Sequence, residues 1–313
     1  MGTPQPLPLE MRNRVFSRAE VIARGLADSR LRAADVEKVG RGLYRVRSAF
    51  GSSTSEADLY ASGAWEGIQA TAPQCWFSYQ TACAVYGLAS RRPMAHSPVH
   101  VGLPHQSRSM KQLPWIRVHR PEKVFAGEIR RVGGVRVSSP ERLFLEMAGV
   151  LDLWDLVVLG DQLVRVPRRQ YEERSEPWTT PQQLRKCLSR HPSTVGIVNA
   201  RAAAELVRVG SDSPPETLLR LSILEAGLSE PELQCRLDPT DPRSPRADMA
   251  YRDKKLALQY EGEHHFTAEQ QAVDQGRNWQ FAACGWSVML ANSVDLQERF
   301  SGVVRRVAAV LAH

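Results

Sequence analysis

Residues 247–265, ADMAYRDKKLALQYEGEHH, constrain the fold of this chain more than any other stretch. Two short apolar runs, 249–251 and 256–260, flank the charged interval Arg252-Asp253-Lys254-Lys255. Short apolar runs on either side of a polar turn predict a β-hairpin. Asp248 opens the first strand. Gln259 and Glu261 stand two apart on the second, so their side chains share one face. His264 and His265 follow at the strand end. Acidic groups converging across paired strands can hold a hard divalent cation. A histidine beside them can position or activate water, or polarise a phosphate. The set fits metal-assisted hydrolysis of a phosphodiester.

Upstream, SDSPPETLLRLSILEAGL reads as a helix with its start marked. Ser213 is a natural N-cap, Pro214 suits the first helical position, and Glu216 falls where a capping-box acid belongs. Negative charge in the first turn is also favoured by the helix dipole, so one carboxylate can both cap and serve a cation site. Downstream, a helix from about Thr267 carries Arg277, placed either to pair with Asp274 or to contact a phosphate. Gly285-Trp286 then turns the chain into a strand at 287–290, with Trp286 expected in the core, and an amphipathic helix follows from Val294.

Five segments in order carry a family resemblance: SPPETLLR at 213–220, RADMAY at 246–251, LALQYEGEHH at 256–265, VDQGR at 273–277 and CGWSVML at 284–290. Together they resemble the PD-(D/E)XK nuclease superfamily, in the branch similar to very-short-patch repair endonucleases. The likeness covers roughly residues 211–313. It implies a restriction-endonuclease-like mixed sheet flanked by helices, a Mg²⁺ site that also accepts Mn²⁺, and hydrolysis of DNA. Carried onto this chain, Asp248 and Glu261 would hold the metal, Glu216 and Gln259 would complete the shell, and His265 would act near the attacking water. The backbone carbonyl of Tyr260 is a further ligand that related sites use. The family usually has an acid where this chain has Gln259, and Asp where it has Glu261. The second change keeps the charge; the first removes one, and a neutral amide offers a metal only a carbonyl oxygen.

The N-terminal region reads differently. Ser17 and Glu20 form a capping-box pattern ahead of Val21, Ile22 and Leu26. Asp28 or Ser29 is expected to cap a second helix holding Leu31, Val36 and Val39. Gly40-Arg41-Gly42 then turns into a strand at 43–46. Helix, turn, helix and strand wing predict a winged helix-turn-helix over residues 1–50. Basic residues outnumber acidic ones here. Arg30 and Arg32 near the start of the second helix, with Arg41 and Arg45 in the wing, are the candidate DNA contacts, joined by Arg277 from the C-terminal region. The segment also resembles the N-terminal domain of abortive-infection-type antitoxins, which end in a similar Arg-Gly-hydrophobic-Tyr wing.

Between these regions, 71–205 reads as an α+β middle domain. Helices are expected at 74–89, 139–149, 154–164, 179–189 and 196–207, and strands at 97–103, 115–120 and 134–137. His96, His100, His105 and His119 lie here, without the spacing of a zinc site. The whole is α/β, with a nuclease-like domain at 206–313. The 313 residues carry a net charge of +7 and a pI near 9.4, which favours a polyanionic partner, read here as double-stranded DNA. The five cysteines form no C-x-x-C pair and suggest reduced thiols. No apolar run approaches membrane-spanning length and the start lacks an apolar signal region, so no membrane partner and a cytoplasmic location are expected. The leading reading is a Mg²⁺-dependent DNA endonuclease. The alternative is a non-enzymatic, antitoxin-like DNA-binding regulator with an inactive nuclease fold, which Gln259 favours. A nuclease directed at RNA would use the same site.

Overall fold

The computed structural model describes residues 5–12, 16–40, 42–47, 65, 68–69, 72–89, 98–107, 116–168, 172–262 and 268–312. It is a mixed α/β structure that divides into two compact units, 1–150 and 151–313.

The first unit begins with α1 (Leu9–Arg12), β1 (Phe16–Ser17) and α2 (Arg18–Ala23). The capping box is present: Glu20 N–H donates to Ser17 Oγ at 3.2 Å and Ser17 N–H donates to Glu20 Oε2 at 2.7 Å. The second helix expected to reach Val39 does not form. A 3₁₀ turn spans Asp28–Arg32, and the chain then enters β2 (Val36–Gly40), paired antiparallel to β3 (Leu43–Val46). β-Branched Val36 and Val39 favour the extended backbone, and Val36 finds a partner directly across at Val46. The small sheet has the order β1-β3-β2, over a core of Leu7, Met11, Phe16, Val21, Leu26, Leu31 and Val36.

A five-stranded mixed sheet follows, built from β4 (Trp76–Phe77), β5 (Val99–Gly102), β6 (Ile116–His119), β7 (Ile129–Val132) and β8 (Val135–Ser138), in the order β6-β5-β4-β8-β7. The helix expected over 74–89 is shorter, α3 (Tyr79–Val85), because Trp76 and Phe77 are drawn into the sheet. Strand β7 escaped the sequence reading because Arg130 and Arg131 are exposed and interrupt its apolar pattern. α4 (Pro140–Met147) is capped by Ser139. His100 and His119 meet on neighbouring strands, Nδ1 to Nε2 at 2.9 Å.

The second unit holds α5 (Leu153–Val164), α6 (Pro181–Arg190), α7 (Ile197–Leu206) and α8 (Pro214–Glu225). Then come β9 (Glu232–Arg236), β10 (Arg246–Tyr251), β11 (Leu256–Glu261), α9 (Ala268–Ala283), β12 (Ser287–Asn292), α10 (Ser293–Gln297) and α11 (Ser301–Leu311). The four strands form one mixed sheet, order β12-β11-β10-β9, with β11 and β12 parallel and the other pairs antiparallel. Residues 151–205, expected with the middle domain, belong to this unit. The reason is packing: Val158 of α5 joins Leu218, Leu219 and Ile223 of α8 in one core, and the fully buried Arg220 pairs with buried Asp161 at 2.9 Å. Met249, Tyr251, Leu256 and Leu258 of the hairpin, with Phe300, Val303 and Val307, complete that core. Trp286 is buried against Phe281, as its neighbours suggested. Among the described residues, no helix is long and apolar enough to cross a membrane.

Candidate functional site

The β10–β11 hairpin forms where its apolar runs place it, with Met249 opposite Leu258 and Tyr251 opposite Leu256. Those residues face the core. The alternation of a strand puts Asp248, Gln259 and Glu261 on the other face. Asp248 and Gln259 lie just beyond the last backbone-paired residues, and their side chains replace the missing ladder. Asp248 N–H donates to Gln259 Oε1 at 3.3 Å, and Tyr260 N–H donates to Asp248 Oδ2 at 2.8 Å. The Gln259 amide also reaches the Arg246 carbonyl at 3.5 Å. Gln259 is fully buried. Its neutral amide thus closes the open end of the hairpin, a role a sequence spacing does not disclose.

Glu216 enters from the first turn of α8. Ser213 caps the helix, accepting from Glu216 N–H at 3.4 Å. The carboxylate turns back over the helix start: Ser213 Oγ–H donates to Oε1 at 2.8 Å and Asp212 N–H donates to Oε2 at 2.9 Å. The reciprocal bond to the cap's own N–H is replaced by one to the residue before it. Glu216 and Asp248 are both buried. Burial first, and the Asp248 charge second, push the Glu216 carboxyl up to about 8 despite those donors. Burial likewise raises Asp248, opposed by the Tyr260 N–H and by the charges of Arg277 and Arg168. For both carboxyls burial disfavours the charged form, and a positive charge nearby would favour it.

Two residues at this site carried no sequence motif. Arg168, in the segment after α5, donates through Nε to Asp212 Oδ2 at 2.8 Å and lies in the field of Asp212, Glu216 and Asp248. Asp212 sits one residue ahead of the helix cap, so its carboxylate holds Arg168 while its backbone holds Glu216. Arg168 lies 80 positions before Asp248 in the chain, and only the fold brings them together.

Glu261 is half-buried at the end of β11, opposite Asn292 of β12. Arg277 stands on α9 and its charge reaches Asp248. His264 and His265 lie outside the described residues, as does Arg41. In the first unit, Arg30 is buried, bonded to both Asp35 carboxylate oxygens at 2.7 and 2.6 Å and to the Gln5 carbonyl at 2.5 Å. It is a structural arginine rather than a surface contact. Arg45 pairs with Glu37 on the adjacent strand. Arg32 is exposed.

No family model matches the chain. It is 25% identical over 229 residues to the uncharacterized protein Rv2248 of Mycobacterium tuberculosis strain ATCC 25618 / H37Rv, covering 73% of this chain and 78% of that protein. The same figures hold for the uncharacterized protein MT2308 of Mycobacterium tuberculosis strain CDC 1551 / Oshkosh: 25%, 73% and 78%. Among solved structures, the RV2827C protein from Mycobacterium tuberculosis is similar with a TM-score of 0.38 at 16% identity, over 70% of this chain and 78% of that one.

Proposed function

We propose that the second unit is a Mg²⁺-dependent endonuclease hydrolysing phosphodiester bonds in DNA. The observation that carries this reading is a pair of buried carboxyls, Glu216 and Asp248, with the Asp248 charge acting on Glu216, beside the strand that ends in Glu261. The order of elements supports it: a helix bearing one acid, three antiparallel strands, a helix, and a fourth strand parallel to the third. That arrangement agrees with the nuclease resemblance.

The chemical types of the donors suit a hard cation. Asp248 commits Oδ2 to the Tyr260 N–H, and among the described residues nothing is bonded to its Oδ1. Glu261 adds a carboxylate on the same face, without a cationic partner among the described residues. Carboxylate oxygens and a backbone carbonyl are the ligands Mg²⁺ prefers. Asp248 and Glu261 would hold the ion, with Glu216 beside them. A bound Mg²⁺ supplies acidification of a water and charge neutralisation at the phosphate. The chain's own residues do the rest. Tyr260 N–H fixes the Asp248 carboxylate, Asp212 N–H and Ser213 fix Glu216, and Gln259 holds the two strands at the spacing the acids need. His265 is proposed as the group near the attacking water.

DNA affinity is assigned to the N-terminal segment. The β2–β3 hairpin supports this reading as a wing, while a 3₁₀ turn stands where the winged-helix plan has its second helix. Arg32 is the exposed cation at the end of the 3₁₀ turn.

A second reading has its own observation. Gln259 is sealed into the hairpin and leaves the site one acid short, which suits a DNA-binding regulator with a silent nuclease fold. Incubation with plasmid, single-stranded DNA and RNA, each with Mg²⁺, Mn²⁺ or EDTA, decides between them. Metal-dependent cutting of DNA that Asp248→Asn abolishes supports the endonuclease. DNA binding without cutting in any metal supports the regulator.

A further inference from the structure

The segment between α5 and α6 lays a line of alternating charges along the edge of the acid site. Arg165 makes a two-pronged pair with Glu172, at 2.6 and 2.5 Å, and stands 3.9 Å from Asp212. Arg174 lies 3.7 Å from Glu172 and 4.8 Å from the centre of the Trp178 ring. The line ends at Arg168. Both bonds of its guanidinium go to a single oxygen, Asp212 Oδ2. Nη1 has no bonded partner among the described residues. The side chain stays 45% exposed while Asp212 is 16% exposed. Arg165, by contrast, spends both prongs of its fork on Glu172. Arg168 is instead held by one edge, with the remainder of the guanidinium left open.

Asp212 makes this placement specific. Its carboxylate grips Arg168, and its N–H donates to Glu216 at 2.9 Å. One residue therefore couples the arginine to an acid of the site. A guanidinium offers planar, paired donors to phosphate, and a half-used one can take a phosphate oxygen without first breaking an ion pair.

We infer that Arg168 is a phosphate-positioning residue of this site, held at its rim by Asp212 and aligning the nucleic-acid backbone against Asp248 and Glu261. The inference rests on the endonuclease reading and names the substrate contact which that reading leaves unassigned. Arg168 binds a phosphate oxygen through its open edge while Asp212 retains the other edge. The repelling acids beside it are offset by its charge as the anionic substrate arrives.

The test compares the full chain with Arg168→Ala, Arg168→Lys and Asp212→Asn. The first measurement is binding to a 20-base-pair duplex in EDTA over a range of salt, so that no cleavage is needed. The second is cleavage of the same duplex in Mg²⁺. Arg168→Ala is expected to lower the salt slope of binding by about 1, the signature of one lost phosphate contact. It is expected to raise KM by roughly tenfold or more, with a smaller change in kcat, the scale of one charge-assisted hydrogen bond. Arg168→Lys restores the salt slope and recovers KM only in part, because the charge returns without the fork. Asp212→Asn leaves the Arg168 charge in place but loosens the hold on it, raising KM while the salt slope stays at the wild-type value. If the wild type binds and cuts while Arg168→Ala matches its salt slope and KM, the role of Arg168 is overturned and the endonuclease reading stands. If the wild type binds but cuts in no metal, an unchanged salt slope in Arg168→Ala overturns the contact on its own. A wild type that neither binds nor cuts overturns both.

Discussion

Asp248 and Gln259 each bond the other's strand: the Asp248 carboxylate accepts the Tyr260 N–H, and the Gln259 side chain accepts the Asp248 N–H. This exchange holds β10 and β11 together where their backbone ladder has ended. It binds the candidate site to the integrity of the hairpin, because the residue that presents a carboxylate to a cation is also a structural clip. It also changes what the amide at 259 means. A glutamine that donates to the Arg246 carbonyl and accepts from Asp248 N–H satisfies two backbone groups of β10 at once. A glutamate could satisfy only the second.

Gln259→Glu therefore sets two effects against each other. The new carboxylate faces the Arg246 carbonyl with an acceptor instead of a donor and adds a like charge beside Asp248. Without metal the variant should lose about 1–3 kcal/mol of stability. With Mg²⁺ the added charge strengthens the donor set, so the loss should shrink as the ion is titrated. Thermal melts of both proteins across a Mg²⁺ titration check this. An equal response of the two melts to Mg²⁺ would show that position 259 does not face the ion.

Asp248→Asn separates structure from chemistry. The asparagine carbonyl can still accept the Tyr260 N–H, and removing a buried charge beside Glu216 relieves repulsion. Metal-free stability should hold or rise, while metal-dependent cleavage should fall by more than a hundredfold, on the order of one lost charged ligand. A melt in EDTA and a plasmid-nicking assay read the two sides. A variant that cuts at the wild-type rate would remove Asp248 from the site.

The raised carboxyl of Glu216 makes stability fall with rising pH. Its ordinary value is 4.5 and its folded value is about 8. Between the two, the folded protein holds a proton that the unfolded chain has released. Stability therefore declines as pH climbs through that window, by at most about 1.4 kcal/mol per unit for one group. The contribution is fully present below pH 4.5 and gone above about 8. Urea unfolding in EDTA from pH 5 to 8.5 should show the wild type losing stability along this slope. Glu216→Gln, which cannot ionise, should be flatter, and saturating Mg²⁺ should flatten the wild type as well. Parallel profiles for wild type and Glu216→Gln would mean the carboxyl titrates normally.

The sequence was legible where a pattern is local. Alternation and a charged turn give the hairpin, and Ser213 with Glu216 gives the start of α8. Ser17 with Glu20 gives α2. It was illegible where distant elements decide. Val36 and Val39 fit an amphipathic helix as well as a strand, and only the pairing of Val36 with Val46 chooses between them. Residues 151–205 follow the middle region in the chain, yet Asp161 and Arg220 tie them to the C-terminal unit. Arg168 and Asp212 were hidden as well, because no periodicity or spacing connects an arginine beyond α5 to an acid on β10.

Arg30 and Arg32, two positions apart and alike in sequence, should behave oppositely. Arg30 is 6% exposed, grips Asp35 with two prongs and bonds the Gln5 carbonyl. Its removal strands a carbonyl and a carboxylate against the small core around Leu31 and Val36. Because Asp35 is 48% exposed, water can take over part of the loss. Arg30→Ala should destabilise the first unit by about 1–3 kcal/mol. Any loss of DNA affinity should then track unfolding and vanish at low temperature. Arg32 is exposed, and Arg32→Ala should leave the melt within about 0.5 kcal/mol of wild type. It should weaken binding to duplex DNA and lower the salt slope by about 1 if the 3₁₀ turn faces phosphate. Melting curves beside salt-dependent binding of a short duplex measure both. An Arg32→Ala protein with wild-type affinity and slope would move the DNA contact away from this turn, while a stable Arg30→Ala protein would contradict the buried pair.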